Sequence, residues 1–248
     1  RPQDVVGLHF FSPANIMKLL EIVRGKATAP DVLATALAVA KRIGKVPVVS
    51  GNAYGFIGNR MLAVRRREAE AMVVEGASPQ QVDLVLERFG FPMGPFRMGD
   101  LAGLDLGWSA EISTGSTVRE RLCEAGRRGQ KTKAGFYDYD EAMKPQPSSI
   151  AEDLIAHFAR DTGITRRSFT GDEILDRLLW PMVDEGAQLL AEGIAQRTSD
   201  IDTVWLNGYG WPVWTGGPMF HARQTGIAEV CRRLEALGIQ PSEALRNL

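Results

Sequence analysis

Residues 7–25 read GLHFFSPANIMKLLEIVRG and decide how the first part of this chain folds. The run Val5–Phe11 is short, apolar and β-branched at its start, which favours a buried strand. SPAN interrupts it, and KLLEIVRG is a second strand-like run that ends at Gly25. Two short strands joined by a turn can form an antiparallel pair. That pairing would bring His9 and Glu21 next to each other.

From Pro30 onward the pattern becomes helical. APDVLATALAVAKRIGK has apolar residues at helical spacing, with Pro30 in its first turn and Gly44 just past its end. VPVVSG predicts a third short strand. After Gly51 nearly everything reads as helix, beginning with about six turns that stop at Gly76. The next helix has Ser78 as its N-cap.

The helical part contains an internal duplication. NRMLAVRRREAEAMVVEG (59–76) can be laid over DRLLWPMVDEGAQLLAEG (176–193) without a gap. Downstream, SPQQVDLVLERFGFPMGPF is echoed by TSDIDTVWLNGYGWPVWTGGPMF with small insertions. Coincidence between two amphipathic helices is the alternative, but the turn residues match as well as the helices. Between the two copies, 114–149 is predicted to be loop and linker.

Composition narrows the class of protein. The chain has 248 residues, with 29 lysines and arginines against 30 aspartates and glutamates. It has no basic stripe that would indicate a nucleic-acid partner, so that class of protein is set aside. Its two cysteines lack the spacing of a zinc site or redox pair, which favours a reduced, intracellular compartment. No membrane span and no metal site are predicted. The chain begins with Arg1 and no signal-peptide pattern, so we expect a piece of a longer protein.

Few groups can carry acid–base chemistry, because the chain has only three histidines. A single histidine in a predicted strand is more often a core residue than a catalyst, so His9 alone would not indicate an active site. Glu21 changes this estimate, because a buried carboxylate is costly without a partner and a histidine is a natural one. The carboxylate would fix the tautomer of the imidazole and stabilise its protonated form, which makes a useful general base.

Asn59 is the third candidate. It lies in SGNAYGFIGNR, whose glycines allow tight turns and close approach at a helix start. In the first turn of that helix, Asn59 could direct its amide towards a bound carbonyl or a neighbouring imidazole. A simple capping role is an equally good interpretation of this segment alone.

Three stretches occur in the order GLHFFSPANIMKLLEIVRG, GNAYGFIGNRML and GFPMGPFRMGDLAGLDLGW. Together they resemble the L-3-hydroxyacyl-CoA dehydrogenase family, and most closely the dehydrogenase part of multifunctional fatty-acid β-oxidation enzymes of the bacterial and peroxisomal type. Two later stretches, GRRGQKTKAGFYDYD and GYGWPVWTGGPMF, resemble the following segments of those enzymes, including their second helical copy. The resemblance covers nearly all of the chain.

The resemblance implies roles for individual residues. His9 stands where the family's general base takes the 3-hydroxyl proton while hydride leaves C3 for NAD⁺. Glu21 stands where a carboxylate orients that histidine, and Asn59 where an amide contacts the substrate and the imidazole. Ser12 fills the place of a small polar residue near the nicotinamide of the cofactor. His221 falls where relatives carry a tyrosine near the substrate.

Two departures limit these roles. The family's Gly-rich NAD fingerprint, G-x-G-x-x-G, occurs nowhere in the chain, and its polar serine upstream of the histidine is missing. In the second copy Asp176 replaces Asn59, so we predict that this copy is structural and walls the active site. We expect the chain by itself to be inactive, because it would hold only the last strands of a Rossmann domain.

We therefore predict a mainly α fold in which two duplicated helical domains follow a short β-containing remnant of a Rossmann domain. The expected boundaries are 1–51 for the remnant, 52–145 for the first helical domain and 146–248 for the second. The implied activity is that of an NAD-dependent 3-hydroxyacyl-CoA dehydrogenase in fatty-acid β-oxidation. The expected partners are an acyl-CoA substrate, with a second copy of the chain or a fused enoyl-CoA hydratase domain, and no nucleic acid or membrane. A bacterial cytoplasm is favoured over a peroxisome, because the chain ends in RNL and not SKL.

Two other interpretations stay open. A helical dimerisation or scaffold module would have no chemistry, and five Trp with many Met and Phe would suit an interface. A scaffold would, however, need none of His9, Glu21 and Asn59. A related dehydrogenase could act on a free β-hydroxy acid, and dependence on CoA would separate it from the first prediction. One basic loop could contact CoA phosphates or be solvated surface; its residues are Arg127, Arg128, Lys131 and Lys133.

Overall fold

The computed structural model describes residues 1–248 and shows eleven α-helices and five short strands. The helices are α1 (Pro30–Arg42), α2 (Gly58–Glu75), α3 (Pro79–Phe89), α4 (Pro95–Ala102), α5 (Val118–Glu124), α6 (Ser149–Asp161), α7 (Gly171–Ala191), α8 (Thr198–Gly208), α9 (Pro218–Thr225), α10 (Ile227–Ala236) and α11 (Glu243–Arg246). The strands are β1 (Val6–Phe10), β2 (Leu19–Arg24), β3 (Val46–Gly51), β4 (Tyr137–Tyr139) and β5 (Pro145–Pro147). The predicted mainly α fold is confirmed. None of the helices combines the length and apolar character needed to cross a bilayer.

The chain forms two compact units. The terminal unit contains Arg1–Arg65 and Asp176–Leu248, and the middle unit contains Arg66–Leu175. The boundaries between them fall inside α2 and α7. Each unit has its own buried apolar residues, such as Met61 and Trp205 in the terminal unit and Leu86, Leu122 and Ile155 in the middle unit.

A three-stranded sheet with the order β1-β2-β3 lies in the terminal unit. β1 is antiparallel to β2, and β2 is parallel to β3. The predicted antiparallel pair is confirmed, and its register sets His9 directly opposite Glu21. α1 covers one face of the sheet, where Leu20 and Ile22 pack with Ala36 and Ala40.

The prediction that β1 is a buried strand is wrong. Leu8 and Phe10 are each 40% exposed, whereas five of the six β2 residues are buried. β1 is an edge strand that pairs only with β2. Val6 is its one side chain that packs against the core between β2 and α1. A short apolar run predicts a strand but does not distinguish an edge strand from a central one.

The prediction of loop and linker for 114–149 is wrong in part. This stretch contains α5, which is capped by the Thr117 hydroxyl accepting from the backbone N–H of Glu120, and the antiparallel pair β4–β5. Arg127 is buried and donates to the carbonyl of Gly135 and to the Ser148 hydroxyl. Strands of three residues are too short to show a period of two in the sequence.

Two buried aspartates cap helices in the same way. Asp83 on α3 accepts hydrogen bonds from the backbone N–H groups of Phe96 and Arg97, at the start of α4. Asp202 on α8 accepts from the backbone N–H groups of Met219 and Phe220, at the start of α9. In each case a carboxylate satisfies donors that the first turn of a helix leaves without a partner.

Candidate active site

His9 on β1 and Glu21 on β2 form a hydrogen-bonded pair across the two neighbouring strands. His9 Nδ1 lies 2.7 Å from Glu21 Oε2. The Glu21 side chain is fully buried, while the His9 side chain is 27% exposed. The pair follows directly from the strand register, because opposite residues of an antiparallel pair on the same face have neighbouring side chains.

The second oxygen of Glu21 is held by the start of α2. Glu21 Oε1 accepts from the backbone N–H groups of Ile57 and Gly58, each at 3.1 Å. The positive end of the helix therefore stabilises the carboxylate. Because an ionised carboxylate only accepts hydrogen bonds, His9 Nδ1 carries the proton and the Nε2 lone pair of the neutral ring is available.

Two phenylalanines flank the imidazole. The ring centroid of His9 lies 4.6 Å from that of Phe11 and 5.3 Å from that of Phe56. Phe56 has a φ of 49°, a left-handed conformation that a bulky residue rarely adopts, and it follows Gly55 with a φ of 73°. This strained turn positions an aromatic side chain against the histidine.

Asn59 lies in the first turn of α2, as predicted, and is exposed. It is hydrogen-bonded to Tyr209, whose hydroxyl donates to Asn59 Oδ1 at 3.0 Å, and not to His9. The Tyr209 ring also meets Phe11 edge-on at 5.5 Å. Tyr209 was not predicted as a site residue, although it lies in GYGWP, the turn that the two sequence copies share.

Arg60, the next residue, anchors the start of α2. Its guanidinium forms a bidentate pair with Glu192, at 2.6 and 2.8 Å, and a further hydrogen bond with Glu185. The hydrogen bond to Glu192 is the main cause that raises the pKa of Arg60 above its usual range. These contacts hold the first turn of α2 against α7, which carries Glu185, and against Glu192 directly after it, within the terminal unit.

His221 is not brought to the His9–Glu21 pair. Its ring stacks on Trp180 with centroids 5.6 Å apart, and Trp211 lies 6.2 Å away. Burial, with a smaller contribution from Arg233, lowers the pKa of His221. Ser12 is exposed just beyond the end of β1.

An open pocket of about 710 Å³ lies beside His9. Its walls include Phe56, Asn52 and Val23, together with the exposed side of β1. The basic loop, by contrast, has structural partners in the middle unit: Lys131 pairs with Asp105 at 2.5 Å, and Arg128 stacks over Trp108.

Comparisons with known families match more than half of the chain. Residues 1–53 match the family described as 3-hydroxyacyl-CoA dehydrogenase, NAD binding domain, and residues 55–139 match 3-hydroxyacyl-CoA dehydrogenase, C-terminal domain. The peroxisomal bifunctional enzyme of Danio rerio is 42% identical over 257 residues, which cover 95% of this chain and 36% of that protein. The fatty acid oxidation complex subunit alpha of Acinetobacter baumannii (strain SDF) is 35% identical over 256 residues, covering 96% of this chain and 35% of that protein. The chain thus spans about a third of the length of these relatives.

Two solved structures share the fold over 99% of this chain. The dehydrogenase part of multifunctional enzyme 1 from C. elegans has a TM-score of 0.72 at 28% identity, with 60% of that chain covered. The 3-hydroxybutyryl-CoA dehydrogenase from Escherichia coli has a TM-score of 0.77 at 24% identity, with 70% of that chain covered, and supports the fold alone.

Proposed function

Because this chain belongs to the 3-hydroxyacyl-CoA dehydrogenase family, we propose that it is part of an enzyme that oxidises 3-hydroxyacyl-CoA to 3-ketoacyl-CoA with NAD⁺ in fatty-acid β-oxidation. The observation that carries the proposal is the His9–Glu21 pair beside an open pocket. The activity is assigned to the longer protein, since the chain spans about a third of the relatives that it matches.

His9 acts as the general base. Its Nε2 accepts the proton of the substrate's 3-hydroxyl group while the hydrogen on C3 leaves with its electron pair, and the C–O bond becomes a carbonyl. The imidazolium that forms is stabilised by Glu21, which is 2.7 Å from Nδ1 and is itself held by two backbone donors. A general base in position contributes roughly 10²- to 10⁴-fold to the rate.

Asn59 binds the substrate oxygen, and Phe11 and Phe56 exclude water from the imidazole. The amide of Asn59 is a donor that fits a carbonyl oxygen on which charge changes during the reaction. We propose no substrate contact for His221, because its ring is packed between Trp180 and Trp211.

The residues present fit only the reacting end of NAD. The exposed hydroxyl of Ser12 lies just beyond the end of β1, the strand that carries His9, and is proposed to lie near the nicotinamide. The diphosphate needs a Gly-rich turn at a helix start, and the sequence has no G-x-G-x-x-G. NAD⁺, when bound, supplies the hydride acceptor. We expect the 248-residue chain alone to be inactive for lack of that turn.

We also propose that the helical part is a duplication, with boundaries at 51/52 and 145/146. The support is the matching pair of helix caps: Asp83 and Asp202 occupy equivalent places in the two sequence copies, and each caps a helix that begins at the proline of a Gly-Pro pair. Gly94 and Gly217 precede those prolines, and a side chain at either would collide with the aspartate, its Cβ lying 2.3 or 2.4 Å away.

The proposed partner is an acyl-CoA substrate. A fusion to a second enzyme, such as an enoyl-CoA hydratase domain, is supported by the name bifunctional enzyme that relatives carry. Assembly as a homodimer stays a prediction, and so does the cytoplasmic location, since several relatives are called peroxisomal.

Acetoacetyl-CoA reduction by the full-length protein that carries this chain, followed by NADH absorbance, tests the proposal. Wild type should turn over and His9→Ala should lose at least about 10²-fold in kcat. His157→Ala, at an exposed position of α6, is the control and should be unchanged. If the protein reduces free acetoacetate but not acetoacetyl-CoA, the result favours the dehydrogenase of a free β-hydroxy acid. If it reduces neither substrate, the result favours the scaffold module.

A further inference from the structure

We propose that Tyr209 is a positioning residue that orients the Asn59 amide towards the substrate oxygen. The inference deepens the proposed function and rests on it. Tyr209 lies 150 residues after Asn59, in the sequence copy that was expected to be purely structural.

The direction of one hydrogen bond carries the inference. The Tyr209 hydroxyl donates to Asn59 Oδ1 at 3.0 Å. The oxygen and nitrogen of an amide diverge from the same planar carbon, so this bond fixes Oδ1 at Tyr209 and turns Nδ2 away from it. Nδ2 then offers N–H donors to a ligand. In the reverse orientation Oδ1 would face the substrate carbonyl, and these two oxygens cannot hydrogen-bond to each other because both are acceptors.

The Tyr209 ring is held on three sides. It packs at 4.7 Å against Trp205 and edge-on at 5.5 Å against Phe11, which in turn contacts His9. Gly58 provides the room: a Cβ there would lie 2.3 Å from the Tyr209 hydroxyl oxygen and Cε2. The ring is therefore a rigid support that touches the neighbours of both His9 and Asn59.

The hydroxyl is what distinguishes the two sequence copies at this place. GYGWP in the second copy corresponds to FGFP in the first, so Tyr209 corresponds to Phe89. Phe89 packs on Phe91 with centroids 6.1 Å apart and needs no hydroxyl for that contact. A phenylalanine is therefore enough for packing at this place. The tyrosine at 209 adds a hydroxyl donor, and that hydroxyl donates to Asn59.

Tyr209→Phe tests the role, because it keeps the ring and removes the donor. In the full-length protein, with acetoacetyl-CoA and NADH as the probe, we expect kcat to fall about tenfold, while KM changes less than about twofold. The kcat of Asn59→Ala should fall further. Adding Tyr209→Phe to Asn59→Ala should not lower kcat any more, because the effects of substitutions at residues that act as one unit are not additive. Tyr54→Phe, at a tyrosine that is 92% exposed, makes the same chemical change and should leave kcat unchanged.

Full activity of Tyr209→Phe would overturn the inference, and so would a loss that multiplies with that of Asn59→Ala, since this would show a packing effect independent of the amide. Circular-dichroism melting of each variant checks that the fold is kept. If the wild-type protein has no activity, the proposed function fails together with this inference. An active wild type with an unaffected Tyr209→Phe variant overturns the inference alone.

Discussion

At the scale of single residues, Glu21 is the most constrained group of the site. Its side chain is fully buried, and its two oxygens accept three hydrogen bonds: one from His9 and two from the start of α2. A buried carboxylate with fewer partners would be costly. The same network that makes the burial tolerable also fixes the tautomer of His9, so stability and chemistry depend on the same three donors.

Glu21→Gln should separate these two roles. A glutamine oxygen can still accept from Ile57 and Gly58, but its amide then donates towards His9 Nδ1 and forces the proton onto Nε2. We expect kcat to fall by roughly 10²- to 10⁴-fold with a much smaller change in melting temperature. Steady-state kinetics of the full-length protein and thermal unfolding measure both. Glu111→Gln, at an exposed position, is the control, and retention of activity by Glu21→Gln would contradict the assigned base.

Gly58→Ala should damage the site although alanine is the better helix former. In an unhindered helix this change stabilises by up to about 1 kcal/mol. At Gly58 the new Cβ would meet Tyr209 at 2.3 Å and push the ring from Asn59. We expect lower activity and a lower melting temperature. Gly99→Ala in α4 is the matched control, because its Cβ would meet only Leu104 Cδ2 at 3.4 Å, and it should retain activity.

At the scale of elements, the sequence predicts the order of strands and helices better than their surroundings. The pairing of β1 with β2 was predictable because both runs are short, apolar and separated by one turn. The exposure of β1 was not, since an edge strand and a central strand can have the same apolar residues. The exact start of α2 was not predictable either: the sequence after Gly51 reads as helix, but positive φ angles at Gly55 and Phe56 delay the helix to Gly58.

The helix cap at Asp83 should make stability depend on pH. Burial raises the pKa of Asp83 to about 7, against the opposing effect of its backbone and Tyr137 donors. A carboxyl group with a raised pKa in the folded state favours folding most when protonated, so this contribution is complete below about pH 4 and is lost as the pH rises through 7. The free energy of unfolding should therefore have a component that falls between pH 4 and 8.

Asp83→Asn isolates that component, because asparagine does not titrate. The difference in unfolding free energy between wild type and Asp83→Asn, from urea titrations at pH 5 and pH 8, should favour wild type more at pH 5. Asp202→Asn should behave in the same direction over a lower range, since burial raises the pKa of Asp202 to about 6. A difference that does not change with pH would show that Asp83 is already ionised throughout.

At the scale of the whole molecule, the candidate site is built from two distant parts of the sequence. His9, Glu21 and Asn59 come from the first 65 residues and Tyr209 from the last 73 residues of the terminal unit. Local patterns predicted the first three, because strand register and a helix start bring them together. The fourth depends on how α8 packs near α2, a contact over 150 residues that no local period encodes.

The two cysteines provide one probe in each unit. Cys123 is fully buried in the middle unit, and Cys231 is 8% exposed in the terminal unit. Burial raises the pKa of both thiols, so less of the reactive thiolate is present at a given pH than in the unfolded chain. At pH 8 we expect both to react with iodoacetamide far more slowly in the native protein than in urea, and mass spectrometry of the labelled peptides measures each rate.

The single variants Cys123→Ser and Cys231→Ser assign each rate to one unit. If the units open independently, the remaining thiol of each variant will react with iodoacetamide at its wild-type rate. Moderate urea will then accelerate the labelling of one thiol before the other, because local opening has its own free energy in each cooperative region. If the chain unfolds as a single cooperative molecule, both thiols will accelerate over the same urea range. A thiol that reacts natively as fast as in urea would contradict the packing around that cysteine.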